Sequence, residues 1–121
     1  MADILGIATL IFPTNDLDAS KHWWQQALGK EPYFDQPFYV GFDINGYELG
    51  INPGAPFANG PVAYLRVESI VRAFSDFIDS GCTIVGGISE VGEGIQVGEL
   101  RNPDGMVFGV IENPHFGESG P

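Results

Sequence analysis

The strongest constraint on the fold is an internal repeat in the order of the predicted secondary structure. Residues 7–53 and 62–114 each begin with a β-prone run, continue with an amphipathic segment and end with further short β-prone runs. A duplicated order of this kind indicates one supersecondary unit that is present twice. Each unit is predicted as β-α-β-β-β, because the helical period gives way to short apolar runs separated by turn residues.

Each module contains one predicted helix with recognisable ends. Residues 15–18 supply the cap of the first helix, which ends at Gly29, while residues 68–69 precede the second, which ends before Gly81. Asn, Asp and Ser cap helix N-termini with a side-chain oxygen, and glycine accepts the positive φ that often closes a helix. The apolar residues expected to face the sheet are Trp23, Trp24, Ala27 and Leu28 in the first helix, and Ile70, Ala73, Phe74, Phe77 and Ile78 in the second.

Turn motifs divide the rest of each module into strands. Asn45-Gly46 separates the runs 38–44 and 47–51, and Asn-Gly favours a type I′ hairpin because both residues tolerate positive φ. In the second module a glycine-rich connection follows the first run, and residues 102–105 form a turn that ends in glycine. The predicted strands of that module are residues 82–85, 95–100 and 106–111.

The domain organisation follows from the length of the chain and its Asn-Pro pairs. A chain of 121 residues, 44% of them hydrophobic, has the size of one domain and can bury a core. Each module closes on Asn-Pro, where proline ends a strand by removing a donor. We predict a single domain over 1–121, with module one at about 5–53, a linker at 54–60, module two at about 61–114 and a flexible tail at 115–121.

The charge balance limits the partners of the protein. Sixteen acidic residues against five basic ones give a formal net charge of −11, which repels phosphate backbones and anionic membrane surfaces. We therefore expect no nucleic acid and no membrane as partner. We interpret the acidity mainly as a solubility feature, and the alternative is that it also attracts a cationic ligand. No apolar run is long enough to span a membrane and no secretory signal is evident, so a cytoplasmic location is expected.

Cysteine and histidine give little support for a reactive centre. Cys82 is the single cysteine and cannot form an internal disulfide, so we interpret it as a small core residue. The alternative, a reactive or metal-binding thiol, lacks an obvious activating neighbour. His22 is predicted at the surface of the first helix or at a dimer contact, and His115 follows the last strand.

Two segments resemble the vicinal oxygen chelate superfamily of glyoxalases, bleomycin-resistance proteins and extradiol dioxygenases. Residues 15–29, with Asn-Asp-Leu-Asp-Ala-Ser, Trp24 and Ala-Leu-Gly, resemble its first helix, and residues 101–109, Arg-Asn-Pro-Asp-Gly-Met-Val-Phe-Gly, resemble its last hairpin. Together with the repeat, the resemblance covers about residues 5–114. It implies an α+β fold in which two βαβββ modules form a curved mixed sheet around a shared cavity, commonly completed as a homodimer.

The resemblance also implies where a metal would bind. Metal-dependent members carry His, Glu or Gln on the first and last strands of each module, and these positions map onto Thr9, Gly50, Val62 and Gly109, none of them a good ligand. Glu48 shares a strand face with Gly50 and is the only candidate metal ligand. Catalytic metal sites typically use three protein ligands, so we expect no cofactor. The simpler interpretation of Glu48 is an exposed strand carboxylate.

Strand alternation indicates which side chains line the pocket. Val62, Tyr64 and Arg66 share one face if the run 62–67 is a strand. An arginine beside a tyrosine can bind a carboxylate or phosphate, and the alternative is a salt bridge from Arg66 to Glu48 or another acid. The aromatic residues in the segment that often covers the family's cavity are Tyr33, Phe34, Phe38 and Tyr39. We place the ligand-binding residues at Thr9, Ile11, Phe38, Glu48, Tyr64 and Arg66.

These observations lead to two functional hypotheses. The favoured one is a metal-independent small-molecule binding protein that sequesters a cationic or aromatic compound, as bleomycin-resistance proteins of this superfamily do. The alternative is a metal-dependent glyoxalase-like lyase or dioxygenase-like enzyme, in which Glu48 and further ligands would hold a divalent metal. We assign no catalytic residue from the sequence.

Overall fold

The computed structural model describes residues 3–115 and contains one eight-stranded sheet with two helices. The strand order is β2-β3-β4-β1-β5-β8-β7-β6. No helix in the described range is long and apolar enough to cross a membrane. The elements are β1 (Ile4–Pro13), α1 (Leu17–Leu28), β2 (Phe34–Gln36), β3 (Tyr39–Ile44), β4 (Tyr47–Asn52), a short 3-10 helix (Phe57–Asn59), β5 (Val62–Val67), α2 (Ile70–Asp79), β6 (Thr83–Gly92), β7 (Ile95–Arg101) and β8 (Val107–Glu112).

The strand pairing confirms the predicted α+β fold of two βαβββ units. Within each unit the first and last strands are parallel neighbours, β1 with β4 and β5 with β8. The remaining neighbours are antiparallel, including β1 and β5, which join the two units into one mixed sheet. The first and last strands of both units therefore lie at the centre of the sheet.

Both helices begin at the predicted caps, and α1 also ends as predicted. The Asp16 side chain accepts a hydrogen bond from the backbone N–H of Ala19 at 3.1 Å, and Gly29 closes α1 at a φ of 68°. Ser69 caps α2, which extends to Asp79, one residue further than predicted. The caps satisfy backbone groups that have no partner inside the helix.

Each helix packs on its own half of the sheet, and the core is divided accordingly. One cluster lies under α1, around Val40, Phe42 and Ile51, and the other lies between α2 and the sheet, where Phe74 of α2 packs with Leu100 and Val110. Cys82 is buried in the second cluster, as predicted. Alternate residues of each strand therefore face the helices, while the residues between them face the opposite side.

The predicted helix stripes are wrong at three positions. Trp23 is 60% exposed and lies edge-on against Trp24, and Ala27 is also exposed. The side chains of α1 that contact the sheet are those of Leu17, Trp24 and Leu28. They share one helix face, whereas Trp23 and Ala27 each precede a contacting residue and so lie about 100° around the axis. Ile78 of α2 follows the contacting residue Phe77, so it also lies about 100° around the axis and is 43% exposed.

Two strand predictions also need correction. The expected glycine-rich connection after residue 85 continues as strand, because β6 runs to Gly92 and pairs with β7 through several register shifts. Such irregularities let the pairing pass the glycines without a break. The strand β2 was not predicted. Asn45 and Gly46 have φ of 52° and 94°, which confirms the tight turn.

Most of the predicted flexible tail, residues 115–121, lies outside the described residues. Only its first residue, His115, is described, and its ring Nε2 lies 2.9 Å from the carbonyl oxygen of Glu93. His22 is exposed on α1, as predicted.

We predict that Gly98→Ala lowers the free energy of unfolding by about 1–3 kcal/mol, because the core must shift to admit a methyl group. A Cβ at Gly98 would lie 2.4 Å from the ring of Phe74, which packs from α2 onto the sheet. The control is Gly87→Ala in β6, where a Cβ meets nothing within 4 Å, and the expected change is within about 0.5 kcal/mol. Urea unfolding measures both values, and equal stability of the two variants would contradict the prediction.

Candidate functional site

The helix-free side of the sheet, called the open face below, carries one continuous row of paired residues. The row crosses six strands, because each member is the register partner of the next member in the adjoining strand. From β3 to β7 its members are Asp43, Glu48, Thr9, Tyr64, Gly109 and Glu99. Side chains from both modules thus meet on one surface.

The Glu48 carboxylate is held by three hydroxyl groups. Thr9 Oγ1 and Tyr39 OH each donate to Oε1 at 2.7 Å, and Tyr33 OH donates to Oε2. An ionised carboxylate offers about four acceptor positions, so three donors leave one of them for another group. Because hydroxyls are neutral, they orient the carboxylate without cancelling its negative charge.

Glycines make room for this arrangement. A Cβ at Gly50 would lie 1.8 Å from Tyr39 Oη, and a Cβ at Gly41 would lie 2.7 Å from Glu48 Oε2. Real Cβ atoms do not approach other atoms so closely, so any larger residue would displace the tyrosine or the carboxylate. The absence of side chains at these two positions therefore permits the contact between Tyr39 and Glu48.

A second tyrosine and carboxylate pair lies in the other module. Tyr64 OH donates to Glu99 Oε2, and the Tyr64 ring lies across Gly109 on the way. A Cβ at Gly109 would be 2.4 Å from two carbons of that ring. The side chain of Tyr64 therefore reaches from β5 past β8 to β7 along the open face.

The environment keeps these tyrosines protonated. Burial raises the pKa of Tyr33 and Tyr39, and the negative charge of Glu48 raises both further. Burial likewise raises the pKa of Tyr64, with the hydrogen bond to Glu99 as the next cause. The three phenols are therefore hydrogen-bond donors throughout the neutral pH range.

The structure brings together four of the six predicted ligand-binding residues. Thr9, Glu48 and Tyr64 are members of the row, and Ile11 lies two residues further along β1, paired with Gly50 and Val62. Of the other two, Arg66 lies two residues beyond Tyr64 on β5, paired with Ile111. Phe38 is 64% exposed at the β2–β3 turn with its ring against Phe34, and Arg66 lines a depression of about 260 Å³ with Leu5, Gly6, Ile7, Asn45, Gly46 and Tyr47.

The register also changes the mapping of the implied metal positions. Thr9 pairs with Tyr64, and the parallel neighbours of these two residues are Glu48 and Gly109. The counterpart of Gly109 in the first module is therefore Glu48 rather than Gly50. The mapping through the repeat missed this by two residues, because it aligned the ends of the modules and not their strand pairs.

Sequence reasoning missed Glu99 and the hydroxyl contacts of Tyr33 and Tyr39. The sequence did contain information on the position of Glu99. The turn at residues 102–105 sets residue 101 opposite residue 107, and this register places Glu99 opposite Gly109. The tyrosines were predicted to cover the cavity, but a sequence does not indicate which acceptor a phenol reaches. That contact depends on the curvature of the sheet and on the glycines beneath the rings.

The four central residues of the row, Glu48, Thr9, Tyr64 and Gly109, do not fit a divalent metal. One carboxylate, already bound by three hydroxyls, stands among Thr9, Tyr64 and Gly109, whereas a catalytic metal typically uses three protein ligands. Across residues 3–115, no group of three or more His, Cys, Asp and Glu side chains comes together in a way that could hold a metal ion. The chemistry available on the open face is hydrogen bonding, negative charge and aromatic surface.

Solved structures share this architecture. A variant of methylmalonyl-CoA epimerase from Streptomyces coelicolor, in complex with 2-nitronate-propionyl-CoA, matches with a TM-score of 0.76 and 13% identity over 93% of this chain and 99% of that chain. A glyoxalase/bleomycin resistance protein/dioxygenase superfamily member from Vibrio splendidus 12B01 matches with a TM-score of 0.68 and 16% identity over 88% and 96%. The protein has the vicinal oxygen chelate fold.

A third match shows the fold within a longer chain. The Mn(II)-bound glyoxalase from Novosphingobium aromaticivorans matches with a TM-score of 0.70 and 17% identity over 93% of this chain and 40% of that chain. No protein-family model matches the sequence. No curated protein matches it either. The vicinal oxygen chelate fold is thus established by structure, in agreement with the two sequence motifs.

The raised tyrosine pKa values predict a loss of stability at alkaline pH. Above about pH 10.0, the usual tyrosine pKa, the unfolded chain loses phenolic protons that Tyr39 and Tyr64 retain in the folded state. The free energy of unfolding should therefore fall as pH rises, by up to about 1.4 kcal/mol per pH unit for each tyrosine. Tyr39→Phe should reduce this slope in urea unfolding between pH 9 and 11, with Tyr47→Phe as the control for loss of an exposed tyrosine. A slope that is unchanged in Tyr39→Phe would contradict the assignment.

Proposed function

We propose that the protein is a metal-independent binding protein for a small organic cation, which it holds on the open face. The observation that carries the proposal is the Glu48 carboxylate, fixed in direction by Thr9, Tyr33 and Tyr39 while it retains its charge. A charge that is oriented in advance binds a partner without the entropy cost of ordering a free side chain. Sequestration of such a compound resembles the role of the bleomycin-resistance proteins.

The surroundings of Glu48 support a cationic ligand with apolar parts. Tyr33 is 52% exposed, so its ring is available to a ligand, and the Tyr39 ring lies beside it. Cations bind well above aromatic faces, and the attraction increases when water is excluded. The net charge of −11 also raises the local concentration of cations around the whole protein.

The alternative, a metal-dependent lyase or dioxygenase, has less support. Its strongest argument is the shared fold with a Mn(II)-bound glyoxalase, and fold alone does not determine function. On the side of Glu48 toward β1, β5 and β8, the open face carries hydroxyls and glycine in place of further ligands. On its other side stands Asp43, whose Oδ1 accepts the backbone N–H of Gly46. We therefore favour binding of the ligand by charge and aromatic contact alone.

We predict that Glu48→Gln weakens binding of benzyltrimethylammonium and of hexylamine by about tenfold or more, because the isosteric amide removes the charge. Isothermal titration calorimetry on chelator-treated protein measures the affinity. The matched control is Glu68→Gln, which removes one exposed carboxylate beyond the end of β5 and changes the net charge equally. Thermal unfolding of both variants verifies that they are folded.

Two results would contradict this function. One is equal affinity for both cations in Glu48→Gln and Glu68→Gln, which would reduce the interaction to general attraction by net charge. The other is about one divalent metal per chain in elemental analysis of untreated protein, lost together with ligand binding in Glu48→Gln. That second result would favour the enzyme alternative.

We also propose that the protein forms a homodimer, as the sequence predicted. Exposed apolar side chains include those of Ile4, Leu5 and Ile7 at the start of β1, which are 45%, 45% and 55% exposed. Exposed apolar side chains of this kind are common at interfaces. Sedimentation equilibrium should give twice the mass of one chain, and Ile7→Asp should shift the mass toward that of a monomer. A monomeric mass for the unmodified protein at micromolar concentration would contradict the proposal.

A further inference from the structure

Arg66 is a residue that the proposed function leaves unused, and it lines a depression of its own. Its half-buried side chain borders the depression of about 260 Å³ where the β3–β4 turn meets the start of β1. The tyrosine in this lining is Tyr47, whereas Tyr64 is directed to Glu99. Among the described residues, Arg66 is the one charged member of the lining. The depression therefore has a local chemistry that differs from the acidic protein around it.

The depression coincides with an irregular part of the central strand pair. Ile4 stands opposite Val67 and Gly6 stands opposite Arg66, so Leu5 is an extra residue in β1. The carbonyl oxygen of Leu5 accepts a hydrogen bond from Arg66 Nη2 at 3.4 Å. A bulge bends its strand and changes the direction of the neighbouring groups. Here it presents a backbone acceptor to the guanidinium group and so holds that group beside the depression.

Two glycines keep the depression open. Gly6 and Gly46 both line it, and a Cβ at either position would meet nothing within 4 Å among the described residues. Their φ values are 142° and 94°, which side chains other than hydrogen rarely allow. The bulge and the turn thus require glycine for backbone reasons, and the same glycines leave the space above them unfilled.

The charge at this place favours an anion although the net charge of the protein is −11. A guanidinium group keeps its positive charge throughout the neutral pH range. Asp43, two residues before Asn45, directs Oδ1 to the backbone N–H of Gly46 at 2.7 Å. Acids further away act weakly, because charges are screened beyond about 8 Å at physiological ionic strength. The electrostatic partner of a small ligand in the depression is therefore Arg66.

We propose that this depression binds a small monocarboxylate that carries one apolar ring, with the carboxylate at Arg66 and the ring beside Tyr47, Leu5 and Ile7. The planar donors of guanidinium match the two oxygens of a carboxylate. The three apolar side chains are exposed, so a ring that covers them removes apolar surface from water. A cavity of roughly 150 Å³ is enough for benzene, so the volume here admits one ring. This site is separate from Glu48 and does not depend on the proposed function.

A carboxylate fits the depression better than a phosphate ester does. A phosphate monoester carries about 1.5 to 2 negative charges at neutral pH, whereas one guanidinium group balances one. Phosphate sites also commonly use several successive backbone N–H groups. In this depression the N–H of Gly46 is already donated to Asp43.

The test is a titration with benzoate at constant ionic strength, followed by the amide signals of the ¹⁵N-labelled protein. The signals of Gly6 and Gly46 should shift, with a dissociation constant on the order of millimolar, and benzamide, the neutral analogue, should bind at least about tenfold more weakly. Arg66→Gln should weaken benzoate binding by about tenfold or more. The matched control is Arg72→Gln, which removes an exposed arginine of α2, changes the net charge equally and should keep the affinity.

Leu5 and Ile7 also belong to the surface proposed for the homodimer, so a second copy would compete with the ligand for them. Titrations at two protein concentrations detect this competition, because it makes the apparent affinity fall as the protein concentration rises. If Arg66→Gln unfolds in a thermal scan, Arg66→Lys decides. That variant keeps the charge and loses the planar donors, so benzoate should still bind several-fold more weakly.

Four results would overturn the inference and leave the cation site at Glu48 untouched. The first is the absence of shifts at Gly6 and Gly46 when benzoate is well above the millimolar range. The second is equal affinity for benzoate and benzamide, which would reduce the depression to an apolar crevice. The third is an equal loss of affinity in Arg66→Gln and Arg72→Gln. The fourth is tighter binding of phenyl phosphate than of benzoate, which would exchange the ligand class for a phosphate ester.

Discussion

The pairing of β1 with β5 is the contact on which the rest of the structure depends. It joins two modules, each of which packs one side of its sheet against one helix. It also fixes the register in which Thr9 stands opposite Tyr64, and through parallel neighbours it fixes Glu48 and Gly109. A slip of one residue would turn these side chains toward the helices, because successive strand residues alternate faces. The single pairing thus determines both the sheet and the composition of the site.

The site owes its chemistry to positions without side chains as much as to those with them. Gly50 and Gly109 leave space that Tyr39 and Tyr64 occupy, and each phenol then reaches a carboxylate. Phenols in these places satisfy the carboxylates while preserving their charge. A surface with this composition differs in kind from a metal centre, where the ligands must neutralise and enclose an ion.

Much of the fold could be predicted from the sequence, because local signals and the repeat agree. The Asp16 and Ser69 caps and the Asn45-Gly46 turn act within a few residues, so their effect is visible without knowledge of the tertiary structure. The α1 stripe was harder, because adjacent tryptophans do not reveal which of them faces the sheet. The strand β6 was misjudged, because glycines suggest a connection unless the partner strand is known.

The site was harder to predict from the sequence than the fold, because it depends on pairing between distant segments. Glu48 and Thr9 are 39 residues apart, and the parallel pairs have no turn between them to set their register, so aligning the modules by their ends placed Gly50 where Glu48 stands.

The Tyr64 ring above Gly109 has an evolutionary consequence. A glutamate or histidine at position 109 would collide with that ring, so a metal ligand there is accessible only after position 64 has become small. Substitutions at these sites are therefore epistatic, and a lineage that has acquired Tyr64 cannot reach a metal-binding ligand set by single changes in arbitrary order. Because the Tyr64 ring occupies the space over Gly109, the order of substitutions determines whether this site can change into a metal-binding site.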